Sequence, residues 1–167
     1  MKRRIIAYTL ILSLVSVTGA LAHGDEVHKV ETKKGDVQAG GHSAAIGNPG
    51  DPGKVTRSIQ VEMNDTMRFK PANIKVKRSE TIRFIVRNTG KLKHEMVLGT
   101  IEELKKHAES MRKFPEMEHA DPNQVTVDPG KTGELVWQFT KAGTFDFACL
   151  VPGHFEAGMF GKVRVGH

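Results

Sequence analysis

The chain has 167 residues, of which 38% are hydrophobic, so it can form one packed domain with modest extensions and is not globally disordered. It carries 25 basic and 19 acidic residues, a formal net charge of +6. The basic residues form no stripe interleaved with aromatic side chains, so we do not expect nucleic acid as a partner.

Residues 1–22 have the organisation of a secretory signal peptide. A basic start at residues 2–4 precedes an apolar run that ends near Val17, and the small residue Ala22 offers a cleavage position. The run is shorter than the roughly 20 residues that span a bilayer, so we expect no membrane span in the mature chain. Cleavage would leave 22 basic against 19 acidic residues, a net charge of +3. The sequence therefore predicts an exported, periplasmic protein.

Residues 23–57 are predicted to form a flexible, disordered tail. The segment is rich in glycine, contains two prolines and no aromatic residue, and cannot bury enough apolar surface to offset its chain entropy. His23, His28 and His42 resemble a loose metal-binding segment, and an ordinary polar linker is the alternative interpretation.

Residues 58–167 are predicted to form a β-sandwich. Short runs alternate apolar and polar residues, the pattern of strands with one buried face, and turn sequences at residues 88–90, 128–130 and 141–143 separate some of them. The apolar positions on these faces are Ile59, Val61, Met63, Ile74, Val76, Ile82, Phe84, Val86, Val125, Val127, Leu135, Trp137, Phe139, Phe145, Phe147, Cys149, Val163 and Val165.

One segment between the strands has a helical pattern instead. Thr100 and Glu103 form a capping-box sequence, and Phe114 followed by Pro115 indicates the end of the helix. The residues expected on its buried face are Ile101, Leu104, Ala108 and Met111. We therefore predict a single helix inserted into the sandwich.

Cys149 is the only cysteine of a chain that we expect to be exported. Exported proteins usually pair their cysteines or avoid them, so a lone one needs an explanation. Cys149, His154 and Met159 follow the spacing C-x4-H-x4-M before the last strand. A thiolate, imidazole nitrogens and a weak thioether are the ligands of a blue-copper (type 1) site. His94, which opens a strand after the turn at 88–90, is the best candidate for the second imidazole.

Each of these residues has a simpler interpretation when it is taken alone. Cys149 would be a small buried residue, His154 a surface loop histidine and Met159 core filling. Their combination with His94 favours metal binding. Gly153 and Gly158 precede the two loop ligands, where the chain must turn sharply.

A secondary Cu(I) site is a further hypothesis. His107 and Met111 lie four residues apart on the predicted helix, and Met117 and His119 follow shortly after it. The alternative is that Met111 packs in the core and His107 is solvated.

The chain from Ser58 to Val165 resembles the cupredoxins of the plastocyanin and azurin superfamily. The segments that carry the resemblance are Met67–Val76, Glu80–Phe84 and 88–90, together with the C-x4-H-x4-M motif. The resemblance implies an all-β Greek-key sandwich, interrupted by the one helix, with one type 1 copper ion at its end. The ligands that it implies are His94, Cys149, His154 and Met159. The inserted segment and the histidine-bearing tail look most like periplasmic cupredoxins implicated in bacterial copper tolerance.

Two positions depart from the family pattern. Ser79 replaces a common turn glycine, and Glu95 follows the first ligand where many electron carriers have an asparagine that ties two ligand loops together. The carboxylate of Glu95 is expected to alter the surroundings of the copper and to leave copper binding intact.

We therefore predict a monomeric copper-handling protein that buffers copper or passes it to a partner, with at most a weak cuprous oxidase activity. A mobile one-electron carrier between periplasmic redox partners is the alternative, and a metal-free interaction domain is a third hypothesis. No catalytic triad or carboxylate pair favours a hydrolase, and no His-x-His cluster favours a multicopper enzyme.

Overall fold

The computed structural model describes residues 45–115 and 120–167, which form two packed sheets and a helix. The strands are β1 (Gly47–Pro49), β2 (Arg57–Asn64), β3 (Arg68–Lys70), β4 (Asn73–Lys77), β5 (Thr81–Asn88), β6 (His94–Gly99), β7 (Gln124–Val127), β8 (Thr132–Phe139), β9 (Gly143–Ala148) and β10 (Phe160–Gly166). The helix α1 spans Ile101–Lys113, and a short 3-10 helix spans Pro52–Lys54.

The strands form two five-stranded sheets. The first has the order β1-β8-β5-β2-β3, and the second has the order β4-β10-β9-β6-β7. Neighbouring strands are antiparallel except for the pairs β2–β5 and β4–β10. Because the chain passes repeatedly from one sheet to the other, most hydrogen-bonded neighbours are not consecutive in sequence. The predicted all-β Greek-key sandwich with one inserted helix is confirmed.

The core lies between the sheets and consists mainly of the predicted alternating positions. Trp137, Phe84 and Phe139 are fully buried, and Phe69 meets Phe147 edge to face with 5.0 Å between ring centroids. Ile59, Val125 and Phe145 are only partly buried against this cluster. The period-two pattern therefore predicted the buried faces correctly, because each strand presents alternate side chains to one core.

The helix α1 packs beside the second sheet. The Thr100 side chain accepts a hydrogen bond from the Glu103 amide at 3.3 Å, and the Glu103 carboxylate accepts one from the Thr100 amide at 2.9 Å. This is the predicted capping box. Leu104 and Ala108 are buried in a small cluster with Val97, Ala148 and Leu150. The helix consequently covers the end of β9, directly before Cys149.

The prediction that residues 23–57 form a flexible tail is wrong for residues 45–57. The strand β1 pairs with β8, with Gly47 opposite Phe139, and Ile46 is fully buried in the main core. Asp51 accepts a hydrogen bond from the Gly53 amide at 2.8 Å and caps the 3-10 helix. Residues 45–57 therefore belong to the sandwich. A strand of three residues with glycine and proline is too short to show an alternating pattern.

Other predictions concern residues outside the described ranges. These include the signal peptide at 1–22, the tail histidines His23, His28 and His42, and the pair Met117 and His119. Within residues 45–115 and 120–167, no helix has the length and apolar content that crossing a membrane requires.

Candidate metal centre

The second sheet brings His94 and Cys149 together at one end. His94 is the first residue of β6, and Cys149 comes directly after β9. These two strands are antiparallel neighbours, with Val97 opposite Ala148, so the start of β6 lies beside the end of β9. Both side chains are 0% exposed. The connection from β9 to β10 contains His154 and places Met159 directly before β10.

The donor atoms of three predicted ligands converge. The Cys149 Sγ atom lies 3.3 Å from His154 Nδ1 and 3.9 Å from His94 Nδ1. The two Nδ1 atoms are 3.2 Å apart. Among the residues that the structure describes, this is the one group of at least three histidine, cysteine or acidic side chains with ligand atoms within 4.8 Å of one another.

Met159 is connected to this group through its backbone. Its carbonyl accepts a hydrogen bond from the Cys149 amide at 3.0 Å, and its amide donates one to the His154 carbonyl at 3.0 Å. The Met159 side chain is fully buried and belongs to the same core cluster as Cys149. The structure thus brings the fourth predicted ligand to the same end of the sandwich.

Two glycines give the β9–β10 connection its shape, as the sequence predicted. Gly153 and Gly158 have φ angles of 86° and 91°, in the left-handed region where a side chain is strained. From β3, the Arg68 guanidinium donates to the Ala157 carbonyl at 2.9 Å and contacts the open face of Gly158. The loop is therefore shaped by its own turns and is also held by a contact from β3.

The protein environment suppresses charge on the centre. Burial raises the pKa of the Cys149 thiol to about 12, against a smaller opposing effect of hydrogen bonds from backbone amides. Burial also lowers the pKa of His154, and the neighbouring His94 lowers it further. At neutral pH the cysteine is therefore a thiol in the metal-free protein, and His154 is neutral.

These residues fit a copper ion. A buried thiolate needs a positive partner, which a metal ion provides when it replaces the thiol proton. One soft sulfur and two imidazole nitrogens match the trigonal part of a type 1 site, to which a buried thioether adds a weak axial donor. The donor set is poorly suited to calcium or magnesium, which prefer oxygen ligands.

Glu95 connects the two strands that carry the site. It is buried, and its carboxylate accepts a hydrogen bond from the Leu150 amide at 2.9 Å. Its own amide donates to Cys149 Sγ at 3.4 Å. Glu95 thus ties the start of β6 to the ligand loop, which is the task that the family resemblance assigns to an asparagine.

At the other departure from the family, Ser79 has a φ of 70°, which explains why a glycine is common there.

Asp65 is a contact of the centre that sequence reasoning missed. Its Oδ1 lies 3.1 Å from His94 Nε2, and the backbone hydrogen bond from Lys91 is the largest contribution that lowers its pKa. In the sequence, Asp65 lies in Asn64-Asp65-Thr66, which has the composition of an ordinary turn. Its distance of 29 positions from His94 leaves no local signal.

The suggested secondary site is only partly visible. His107 and Met111 both line a cavity of about 240 Å³ between α1 and the end of the second sheet, together with Leu104 and Asn123. Both are partly buried, and Met111 packs against the small cluster below the helix. The cavity is mainly apolar, and Met117 and His119 are outside the described residues. A second copper ion there stays a hypothesis.

Two relatives share much of the sequence. The chain is 50% identical over 169 residues to the copper-resistant cuproprotein CopI of Rubrivivax gelatinosus, and the match covers 99% of both chains. It is 38% identical over 156 residues to the protein of the same name from Pseudomonas aeruginosa, covering 74% of this chain and 84% of that one.

The fold has solved counterparts. Reduced auracyanin from the photosynthetic bacterium Roseiflexus castenholzii superposes with a TM-score of 0.60 at 20% sequence identity, covering 68% of this chain and 99% of that one. The plastocyanin/azurin family of copper binding proteins matches residues 55–166. Because this match includes most of the sandwich and all four predicted ligands, the chain belongs to the plastocyanin/azurin family of copper binding proteins.

Proposed function

We propose that this chain is a periplasmic copper-handling protein in which His94, Cys149, His154 and Met159 hold one copper ion and thereby support copper tolerance. The family's cofactor is one type 1 copper ion. The observation that carries the ligand assignment is the convergence of Cys149 Sγ and two imidazole Nδ1 atoms at the buried end of the sandwich. The relatives named copper-resistant cuproproteins support the role in tolerance.

The residues of the chain perform three tasks in this proposal. His94 and Cys149 are fixed by neighbouring strands, so two donors are in place before copper arrives. His154 is the proposed ligand whose side chain is partly exposed. Burial of Cys149 excludes water from the sulfur, and the Glu95 amide stabilises its negative charge. Bound copper supplies a one-electron redox couple between Cu(I) and Cu(II).

A visible absorption titration with Cu(II) tests the site. We expect an intense thiolate-to-copper band in the wild-type protein that saturates at one equivalent and that is absent in Cys149→Ser. Circular dichroism of the variant checks that it folds, since serine replaces the thiol with little change in size. If the folded wild-type protein gave no band, the proposed type 1 site would be refuted.

The role in tolerance needs a separate test in cells. We expect deletion of the gene to raise copper sensitivity, wild-type protein to restore growth, and Cys149→Ser exported at equal amounts to fail. Cell fractionation of the same strains tests the periplasmic location. Full rescue by the serine variant would show that the metal centre is not the source of tolerance, even if it binds copper.

A one-electron carrier is the second candidate, and the pre-assembled donor atoms favour it. A centre that needs little rearrangement between its oxidation states exchanges electrons quickly, so we would expect rapid electron self-exchange. Slow self-exchange would remove this candidate and leave copper handling. Weak cuprous oxidase activity is compatible with either role and is tested by oxygen uptake during Cu(I) oxidation.

A further inference from the structure

The outer nitrogen of His94 has a carboxylate partner. Asp65 Oδ1 lies 3.1 Å from His94 Nε2, on the side of the ring opposite to the metal donors. The inner nitrogen, Nδ1, faces His154 Nδ1 at 3.2 Å and Cys149 Sγ at 3.9 Å. Because His94 is 0% exposed, water cannot readily replace Asp65 as the partner of Nε2.

The position of the Asp65 carboxylate is fixed by the turn before β6. Its Oδ2 accepts a hydrogen bond from the Lys91 amide at 2.8 Å, and its Oδ1 accepts one from the Leu92 amide at 3.2 Å. A Cβ atom at Gly90 would collide with the carboxylate, so this close approach needs a glycine. Although 35% of the Asp65 side chain is exposed, its orientation towards His94 is thus set by the backbone.

We propose that Asp65 is a positioning residue that holds His94 in the Nε2-protonated tautomer and makes the centre favour Cu(II) over Cu(I). A carboxylate only accepts hydrogen bonds when ionised, so the ring proton is kept on Nε2 and the Nδ1 lone pair points inward. The inference rests on the proposed copper ligands.

The preference for Cu(II) follows from charge. The Asp65 carboxylate adds negative charge to that of the Cys149 thiolate, beside which the buried Glu95 side chain also lies. A fixed negative charge stabilises a doubly charged ion more than a singly charged one at the same place. Nearby, Lys93 is paired with the exposed Asp128 at 4.0 Å.

The test compares Asp65→Asn with Asp128→Asn in the whole protein. Both variants lose one carboxylate at the same end of the sandwich, but only Asp65 contacts a proposed ligand. We expect Asp65→Asn to weaken Cu(II) binding by about 10- to 100-fold and Cu(I) binding by less than about threefold, so that the reduction potential rises. Asp128→Asn should change either affinity by no more than about twofold. Asp65→Glu keeps the charge and should stay closer to wild type in the ratio of the two affinities.

A second readout needs no copper. Nitrogen NMR of the metal-free protein should show His94 protonated at Nε2 in the wild type and a mixture of tautomers in Asp65→Asn. Equal weakening of Cu(I) and Cu(II) binding would mean that Asp65 only stabilises the turn, and would overturn the inference. The absence of any change in either affinity in Asp65→Asn would also overturn it, and the wild-type thiolate band would then leave the proposed function standing. Absence of that band in the wild type would instead refute the proposed function itself.

Discussion

The two imidazoles of the proposed metal centre are held in different ways. His94 begins β6, is fully buried, and has its outer nitrogen bonded to Asp65. His154 lies in the β9–β10 connection and is only half-buried, and its amide is bonded within the loop to the Val151 carbonyl at 2.9 Å. One donor therefore belongs to the sheet and the other to a loop. Changes on the sheet side should damage both fold and metal binding, whereas changes on the loop side should mainly affect the metal.

The largest expected contrast comes from replacing each histidine by alanine. His94→Ala opens a cavity at a fully buried position, so we expect the free energy of unfolding of the metal-free protein to fall by about 2–5 kcal/mol. His154→Ala should cost less than about 1 kcal/mol, because its side chain is partly solvated. Denaturant unfolding of the two metal-free variants measures both values.

The same two variants should also differ in whether a small molecule from solvent can replace the missing side chain. Added imidazole should restore the visible copper band of His154→Ala, since solvent reaches that position, and should fail to do so in His94→Ala. Equal rescue of the two variants, or equal loss of stability, would contradict the distinction between a sheet-held and a loop-held donor.

Glu95 joins the two sides, and its replacement should give the next largest effect. Glu95→Ala leaves the buried Leu150 amide without its carboxylate acceptor, at a cost of about 1–3 kcal/mol in the free energy of unfolding. Glu95→Gln keeps an oxygen that can accept this hydrogen bond and serves as the matched control, with an expected loss below about 1 kcal/mol. Urea unfolding of the metal-free proteins measures the difference. If alanine and glutamine were equally destabilising, the hydrogen bond would not be the source of the effect.

The smallest effect should come from the two arginines that contact the loop. Arg68 donates to the Ala157 carbonyl, whereas Arg112 of α1 forms an exposed ion pair with Glu156 at 3.3 Å. We expect Arg68→Ala to lower the free energy of unfolding by about 1 kcal/mol and to speed the transfer of copper to a chelator. Arg112→Ala should have an effect below about 0.5 kcal/mol, because an exposed ion pair contributes little. Faster copper transfer in Arg112→Ala than in Arg68→Ala would show that α1 holds the loop instead.

Local patterns predicted those parts of the molecule in which neighbours along the chain share one environment. Alternation predicted the buried faces of β5 and β8, and the Thr100 capping sequence predicted where α1 begins. Three of the proposed ligands could also be predicted in this way, since Cys149, His154 and Met159 lie within one short segment.

Contacts between distant parts of the chain could not be predicted from such local patterns. Ile46 is buried only because β1 pairs with β8, more than 80 positions later, and Asp65 reaches His94 only because a turn folds back. The function of Glu95 as a tie became visible only when Leu150 was placed beside it. Sequence reasoning thus found the proposed donor atoms, and the structure supplied the contacts that orient them.

The raised pKa of the Cys149 thiol affects how the metal-free protein reacts with oxidants. Oxidants and disulfides react mainly with thiolates, and a protonated sulfur with 0% exposure is a poor target for both. A newly folded, metal-free chain should therefore resist oxidation of Cys149 in oxidising surroundings. The same burial that makes the bare thiolate unfavourable thus preserves the ability of the metal-free protein to bind copper, which then displaces the thiol proton.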